Sequence, residues 1–326
     1  MIFKCANHNI MDLTTGVIFD KHFLPIETWA RDDVLGYLER RKYAGSNKIA
    51  IEIHKTRKEV HDYKLSLSDS YWACNDTSIR FEDISPYYNE CSVDGVGKSN
   101  GVEPTLRLMG SFDKEWVRLS GVTFIRKVES LLVARVEALA GLLAMELGIG
   151  DTVAPIDGVD GIGNGVVLIR NLSDADKMLL DFGSVLEPES LINGYNLDDV
   201  QAMYSLVGFG DVRDYILKIN LFDFVIGNSD RRRNQGNWGF YKSTEDGSVS
   251  LSPAYDFNLA YSADATSNAL EACSAGIRKA GRISEALDIL ESWVSTVEAF
   301  ADKHDYDVWR RNMARMMGRL EKFNVH

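Results

Sequence analysis

The most constraining stretch of this chain is Leu221–Ser262, together with the apolar run that leads into it. Residues 216–226 are mostly apolar over a helical length, and Gly227 follows them as the left-handed residue that ends a helix. A polar loop, residues 228–237, carries one carboxylate, Asp230, and three successive arginines. Residues 238–242 and 249–252 read as short strands, with Glu245, Asp246 and Gly247 as the turn of a hairpin. A hairpin returns the chain to its starting point. Asn237 at its entrance and Asp256 past its exit are therefore expected to lie close together, with Asp230 on the loop that feeds them. Two carboxylates and an amide oxygen form a hard-oxygen set suited to Mg²⁺. Taken singly, each of these residues also serves ordinary turn chemistry; the joint pattern is what points to a site.

That pattern has the parts of a phosphoryl transferase of the protein-kinase type. One Asp orients the attacking hydroxyl, an Asn shortly after it helps hold a metal, and a second Asp beyond a hairpin holds metal ions bridging the phosphates. Asp230, Asn237 and Asp256 take these roles in order. The wording GNSDRRRNQGNWGF…SPAYDFN resembles the HipA-like serine/threonine kinases in particular. Gly227, Asn228, Asp230 and Arg231 match the loop of that family, and Pro253, Tyr255 and Asp256 match its second Asp segment. Two departures stand out. Arg232 occupies a position where the family usually has His, and position 235, where its Asn is expected, is Gln. The candidates for the metal-binding amide are Asn234 and Asn237, and the Trp-Gly-Phe that follows favours Asn237.

The resemblance implies an α+β, two-lobed protein-kinase-like fold, with a mixed, β-rich N-terminal lobe and a mainly helical C-terminal lobe. The boundaries read from the sequence are residues 1–172 and 173–326, the first lobe containing a subdomain of about residues 1–90 and a nucleotide-binding sheet over 91–172. In the first part, residues 17–20 and 48–54 read as strands and 28–41 as a helix. The phrases Leu65–Trp72 and Phe81–Ile84 are similar to the same family, though aromatic packing in an ordinary α+β subdomain explains them equally well.

The stretch Asp94–Gly101 is glycine-rich, and glycines let backbone N–H groups approach phosphate oxygens while a lysine adds charge. Gly95, Gly97, Lys98, Ser99 and Gly101 are expected to form a loop over ATP phosphates. A Walker A loop is excluded, because position 92 is Ser and no helix starts at Asn100-Gly101. The resemblance implies an autophosphorylated serine in this loop, Ser99 or Ser92. Residues 106–109 and 116–119 read as a strand pair. On the second, the family presents a lysine to the α/β-phosphates, and Arg118 stands at the matching position, with Lys127 as the alternative. Arginine keeps the charge and adds bidentate grip, but it is longer and planar, so the exchange is not conservative. Residues 127–147 are apolar around most of a helix, and Glu137 within it has the spacing of the family's ion-pair glutamate, partner to Arg118. Residues 152–155 and 165–170 read as further strands, and Ile169 to Leu172, including Asn171, as the hinge whose backbone reads adenine. From Ser173 onward the pattern turns helical, over 197–207, 212–226, 282–303 and 305–323. The last of these carries a basic face that reads as solvated surface. ATP is expected between the lobes.

Composition narrows the partners. The net charge of −12 argues against nucleic acid as the main partner but leaves ATP open, since ATP needs only a locally positive pocket. Cys5, Cys74, Cys91 and Cys273 show no metal spacing and read as reduced thiols. With no signal sequence over residues 1–10 and no apolar run of membrane length, a cytoplasmic protein is expected. The six histidines show no HExxH, and no GxSxG occurs, so zinc hydrolysis and α/β-hydrolase chemistry find no support. The expectation is an ATP- and Mg²⁺-dependent kinase acting on Ser or Thr of a protein. The resemblance further implies the toxin of a toxin–antitoxin pair with a small DNA-binding partner. The rivals are a pseudokinase-type nucleotide-binding regulator, motivated by Arg118 and the long loop after Asp230, and a small-molecule or lipid kinase.

Overall fold

The structure, a computed structural model, describes residues 1–25, 34, 67–85, 87–88, 113–120, 122–151, 153–159, 163–185, 196–232, 234–257, 260 and 265–324. Among these residues the N-terminal half is mostly strand and the C-terminal half mostly helix. The strands are β1 (Ile2–Cys5), β2 (His8–Asp12), β3 (Tyr71–Cys74), β4 (Asp113–Leu119), β5 (Val122–Glu129), β6 (Val153–Val159), β7 (Gly165–Arg170), β8 (Lys177–Asp181), β9 (Gly239–Ser243) and β10 (Val249–Leu251). The helices are α1 (Phe81–Ile84), α2 (Leu131–Glu146), α3 (Phe182–Val185), α4 (Leu197–Leu206), α5 (Arg213–Ile226), α6 (Ser267–Lys279), α7 (Ile283–His304) and α8 (Val308–Asn324). None of these helices is long and apolar enough to cross a membrane.

Contacts divide the chain into two compact units. The first comprises Met1–Val128, Leu168–Leu180 and Phe240–Leu251; the second comprises Glu129–Val167, Asp181–Gly239 and Ser252–His326. The units therefore interleave along the sequence.

In the first unit, β1 pairs antiparallel with both β2 and β3, in the order β2-β1-β3. All four residues of β3 are buried, and the Trp72 indole N–H donates to the carbonyl of Ala6 at 2.6 Å. Phe3, Cys5, Ile10, Phe23, Tyr71 and Met178 form its core. The expected strand at 17–20 is reduced to one bridge, Ile18 with Met11. Residues 28–33, 35–41, 48–54, 106–109 and 91–101 lie outside the described residues.

β4 pairs with β5, Arg118 facing Thr123, around a turn that places Ser120 at a φ of 51°. This corrects the expected helix start at Lys127: that residue belongs to β5, and the helix begins only after Ser130, whose side chain accepts the N–H of Val133. The run Val122-Thr-Phe-Ile is β-branched and aromatic, and a serine cap fixes where α2 can start. The turn to helix at Ser173 is likewise corrected, because β8 intervenes and lies beside β9 in the order β10-β9-β8.

In the second unit α5 is buried along most of its length, from Ile216 to Ile226 apart from Lys218. Gly227 closes it at a φ of 72°. The N–H of Asn228 reaches the carbonyl of Asp223 at 2.8 Å and the N–H of Gly227 that of Phe224 at 3.1 Å. This pair of bonds satisfies carbonyls that a helix end leaves open, and it requires a residue tolerant of left-handed backbone. Asn312 on α8 is fully buried: its amide donates to the Val225 carbonyl at 3.0 Å and accepts the Ala265 N–H at 2.8 Å. The helix α6 was not expected; Thr266 caps it by accepting the N–H of Ala269 at 3.2 Å.

The hairpin β9–β10 forms as read, with Lys242 opposite Val249 and Phe240 opposite Leu251. At its tip Gly247 takes a φ of 72°. Hydrogen bonds from Ser248 and Ser243 hold the Asp246 carboxyl down at about 2.

Candidate active site

The end of α5 fixes the loop that follows it. The Asn228 side chain donates to Asp223 at 3.0 Å, while its amide oxygen accepts the backbone N–H of Asp230 at 3.2 Å. Asp230 is thereby placed one short loop beyond a buried helix. Its carboxylate oxygen Oδ2 accepts the Asn237 amide at 2.8 Å and the Asn234 amide at 3.2 Å. The two asparagines also touch one another, at 3.2 Å. Both candidates for the metal-binding amide thus gather on Asp230. Asn237 is buried and makes the shorter bond, whereas Asn234 is exposed and caps the 3-10 turn Gln235–Asn237 by accepting the Gly236 N–H.

Arg231 sits at the centre of this arrangement and is only 1% exposed. Its Nε donates to Asp223 at 2.8 Å, one terminal nitrogen donates to the carbonyl of Asn237, and the other donates to the carbonyl of Tyr255 at 2.7 Å. The rings of Trp238, Tyr255 and Phe257 surround the guanidinium at 5.7–5.9 Å, within cation–π range. Burial pushes the Asp223 carboxyl above its ordinary range, and the Arg231 charge opposes that shift.

The segment before Asp256 is held at three points. The Ala254 N–H donates to the Ile149 carbonyl at 2.8 Å, the Tyr255 carbonyl is held by Arg231, and the Tyr255 hydroxyl donates to the Gly236 carbonyl at 2.9 Å. Asp256 then takes a left-handed φ of 56°, uncommon outside glycine, and its side chain is half-buried. Asn237 and the residue preceding Asp256 therefore meet on one guanidinium. The contacts run to the backbone carbonyls of Asn237 and Tyr255, through Arg231.

Sequence reasoning did not single out Asp223 or Asp181. An aspartate inside the apolar run Leu221–Ile226 is itself a signal, since a buried carboxylate needs a partner. Asp181 ends β8 beside α3. A methyl group added to Gly183 would lie 3.0 Å from the Gly236 backbone and 3.1 Å from Asp181 Oδ1, so α3 packs directly on the turn that carries Asn237.

The remaining expected residues are spread over both units. Arg118 is half-buried on β4, with Nη2 donating to the Tyr87 carbonyl at 3.4 Å. Lys127, its alternative, is buried on β5, and Glu137 is buried on α2 at 2% exposure. Ile169 lies on β7. The Asn171 backbone N–H donates to Thr123 at 2.9 Å, and its side chain bonds Leu67 and Ser173, all within the first unit. Gly95, Gly97, Lys98, Ser99, Gly101 and Ser92 lie outside the described residues. A cavity of about 340 Å³, lined by Glu146, Ile149, Lys218, Trp293 and Thr296 among others, includes none of the expected site residues.

Among the described residues no three His, Cys, Asp or Glu side chains cluster as a metal site. Around Asp230 the amide N–H groups of Asn234 and Asn237 face the carboxylate, and the Asn237 side-chain oxygen accepts from the Asn234 amide.

No protein-family profile and no curated protein matches the chain. Among solved structures, the crystal structure of a Helicobacter pylori proinflammatory kinase, CtkA, is similar at 14% sequence identity and a TM-score of 0.44, over 65% of this chain and 95% of that one. The reading of the site stands on its own residues.

Proposed function

We propose that this chain is an ATP- and Mg²⁺-dependent phosphotransferase of the HipA-like kind, with a two-lobed protein-kinase-like fold, acting on Ser or Thr of a protein acceptor. The observation that carries the reading is the gathering of Asn237 on the Asp230 carboxylate, with the Asn237 and Tyr255 carbonyls on one buried guanidinium. The sequence resemblance adds the toxin of a toxin–antitoxin pair, with a small DNA-binding partner, as its biological setting.

In this reading Asp230 orients the acceptor hydroxyl and takes its proton as the oxygen bonds to the γ-phosphorus. The bond from that phosphorus to the bridging oxygen breaks, and ADP leaves. Asn237 and Asp256 would hold Mg²⁺, which when bound neutralises charge on the phosphate oxygens. The Asn234 amide shares the Asp230 oxygen and restrains its rotation. Arg118 and the glycine-rich loop from Gly95 to Gly101 are assigned to the nucleotide phosphates on sequence grounds.

The test is incubation with γ-labelled ATP and Mg²⁺, with and without a generic protein acceptor. Transfer is expected for the wild type and a loss of about 10²–10⁴-fold for Asp230→Ala, the range that a positioned base contributes. Asp256→Ala should lose transfer as well, both variants keeping the wild-type circular dichroism. An Asp230→Ala protein with near-normal transfer sinks the assignment. A second reading, a nucleotide-binding regulator without transfer, is favoured by arginine at position 118 and by its bond to the Tyr87 carbonyl. ATP-induced thermal stabilisation with no labelled product would establish it. Trial acceptors separate a small-molecule or lipid kinase.

A further inference from the structure

We infer that Arg231 is the positioning residue of this site: its guanidinium sets the separation between Asn237 and Asp256, and Asp223 sets the guanidinium. The inference rests on the phosphotransferase reading above and adds a residue that acts through others.

A guanidinium is planar and presents its N–H donors in a fixed fork. With Nε spent on Asp223, the two terminal nitrogens project together, one onto the Asn237 carbonyl and one onto the Tyr255 carbonyl. Two backbone segments that are 18 positions apart in sequence are thereby held at a spacing set by one rigid group. Two further bonds brace the fork. Asp223 is pinned by the Asn228 amide at 3.0 Å, and the Trp238 indole donates to the Arg231 carbonyl at 3.2 Å, closing the loop on its own arginine. Lysine would keep the charge next to Asp223 but offers a single nitrogen on a flexible stem, which cannot serve three acceptors in a plane. A purely structural buried guanidinium would also need acceptors for its terminal N–H groups, but at no particular residues. The two carbonyl contacts, at the residues that carry or immediately precede the expected metal ligands, are what distinguish a positioning role.

The experiment compares wild type with Arg231→Lys and with the double variant Asp223→Leu/Arg231→Met. The double variant leaves no buried charge unpaired and so keeps a route to a folded protein. Mn²⁺ binding in the presence of a non-hydrolysable ATP analogue is followed by electron paramagnetic resonance, and amide hydrogen exchange is followed over the segments around residues 237 and 255. Both folded variants should bind Mn²⁺ at least tenfold more weakly, show partial rescue of transfer at high Mg²⁺, and exchange faster at both segments together. A folded variant that binds Mn²⁺ as the wild type does overturns the inference while the phosphotransferase reading stands. A wild type that neither binds Mn²⁺ with the analogue nor transfers phosphate overturns both.

Discussion

Lys242 lies on β9 and is 1% exposed, its ammonium donating to the Leu24 carbonyl at 2.9 Å. Burial depresses its pKa from 10.5 to about 8, against the opposing pull of Cys5 and Asp20. Below pH 8 the folded and unfolded states both carry the proton, and the fold bears the full cost of a buried charge. Above pH 10.5 neither carries it, and that cost is gone. Between the two, unfolding takes up a proton, so stability from this group rises with pH. A fall from 10.5 to about 8 corresponds to about 3 kcal/mol across that window, at 1.36 kcal/mol for each pH unit. Lys242→Met removes the titration and leaves the Leu24 carbonyl without its donor, a loss of about 1–3 kcal/mol. The variant should therefore be about as stable as the wild type at pH 7, or slightly more so. By pH 10.5 the wild type should have gained about 3 kcal/mol relative to it. Other lysines and tyrosines titrate in the same range, and the difference between the two proteins cancels them. Urea unfolding followed by circular dichroism at pH 7, 9 and 10.5 measures that difference. A difference that stays level across the three pH values refutes the claim that the buried ammonium is destabilising.

Asn312→Ala strands the Ala265 N–H and the Val225 carbonyl in the interior, and should cost about 2–4 kcal/mol in denaturant unfolding. A loss below about 1 kcal/mol would show that the two groups find other partners. Asn237→Ala should weaken Mn²⁺ binding with an ATP analogue by at least tenfold, and Asn234→Ala by only a few-fold, because Asn237 is the buried amide with the shorter bond to Asp230. The reverse order would move the ligand role to Asn234.

Parts of this architecture were legible from local signals. The helix ending at Gly227 was readable because apolar spacing and a left-handed glycine both act within one turn of backbone. The hairpin was readable because Glu245-Asp246-Gly247 dictates a turn and the flanking residues alternate. The same reasoning failed at β8, since Lys-Met-Leu-Leu-Asp has no preference that excludes helix. Its strand state comes from lying beside β9, some 60 positions later in the sequence. It failed again at Lys127, where an apolar run was extended backward into a helix across the serine that caps it. The helix α6 went unread although Thr266 caps it and its buried residues Cys273, Ser274 and Ile277 share one face.

Residue order alone thus determined the candidate site's inventory: one aspartate after a capped helix, two asparagines in the loop, and a second aspartate past a hairpin. Those are short-range facts, encoded in spacing and in the backbone freedom of a few residues. How the parts are held was decided only in three dimensions. The pairing of Asp223 with Arg231, and the two carbonyls that share its guanidinium, depend on burial and on contacts between segments remote in sequence. A charged side chain in a loop gives no sign of which backbone oxygens it will meet until packing has removed the water that would otherwise solvate it.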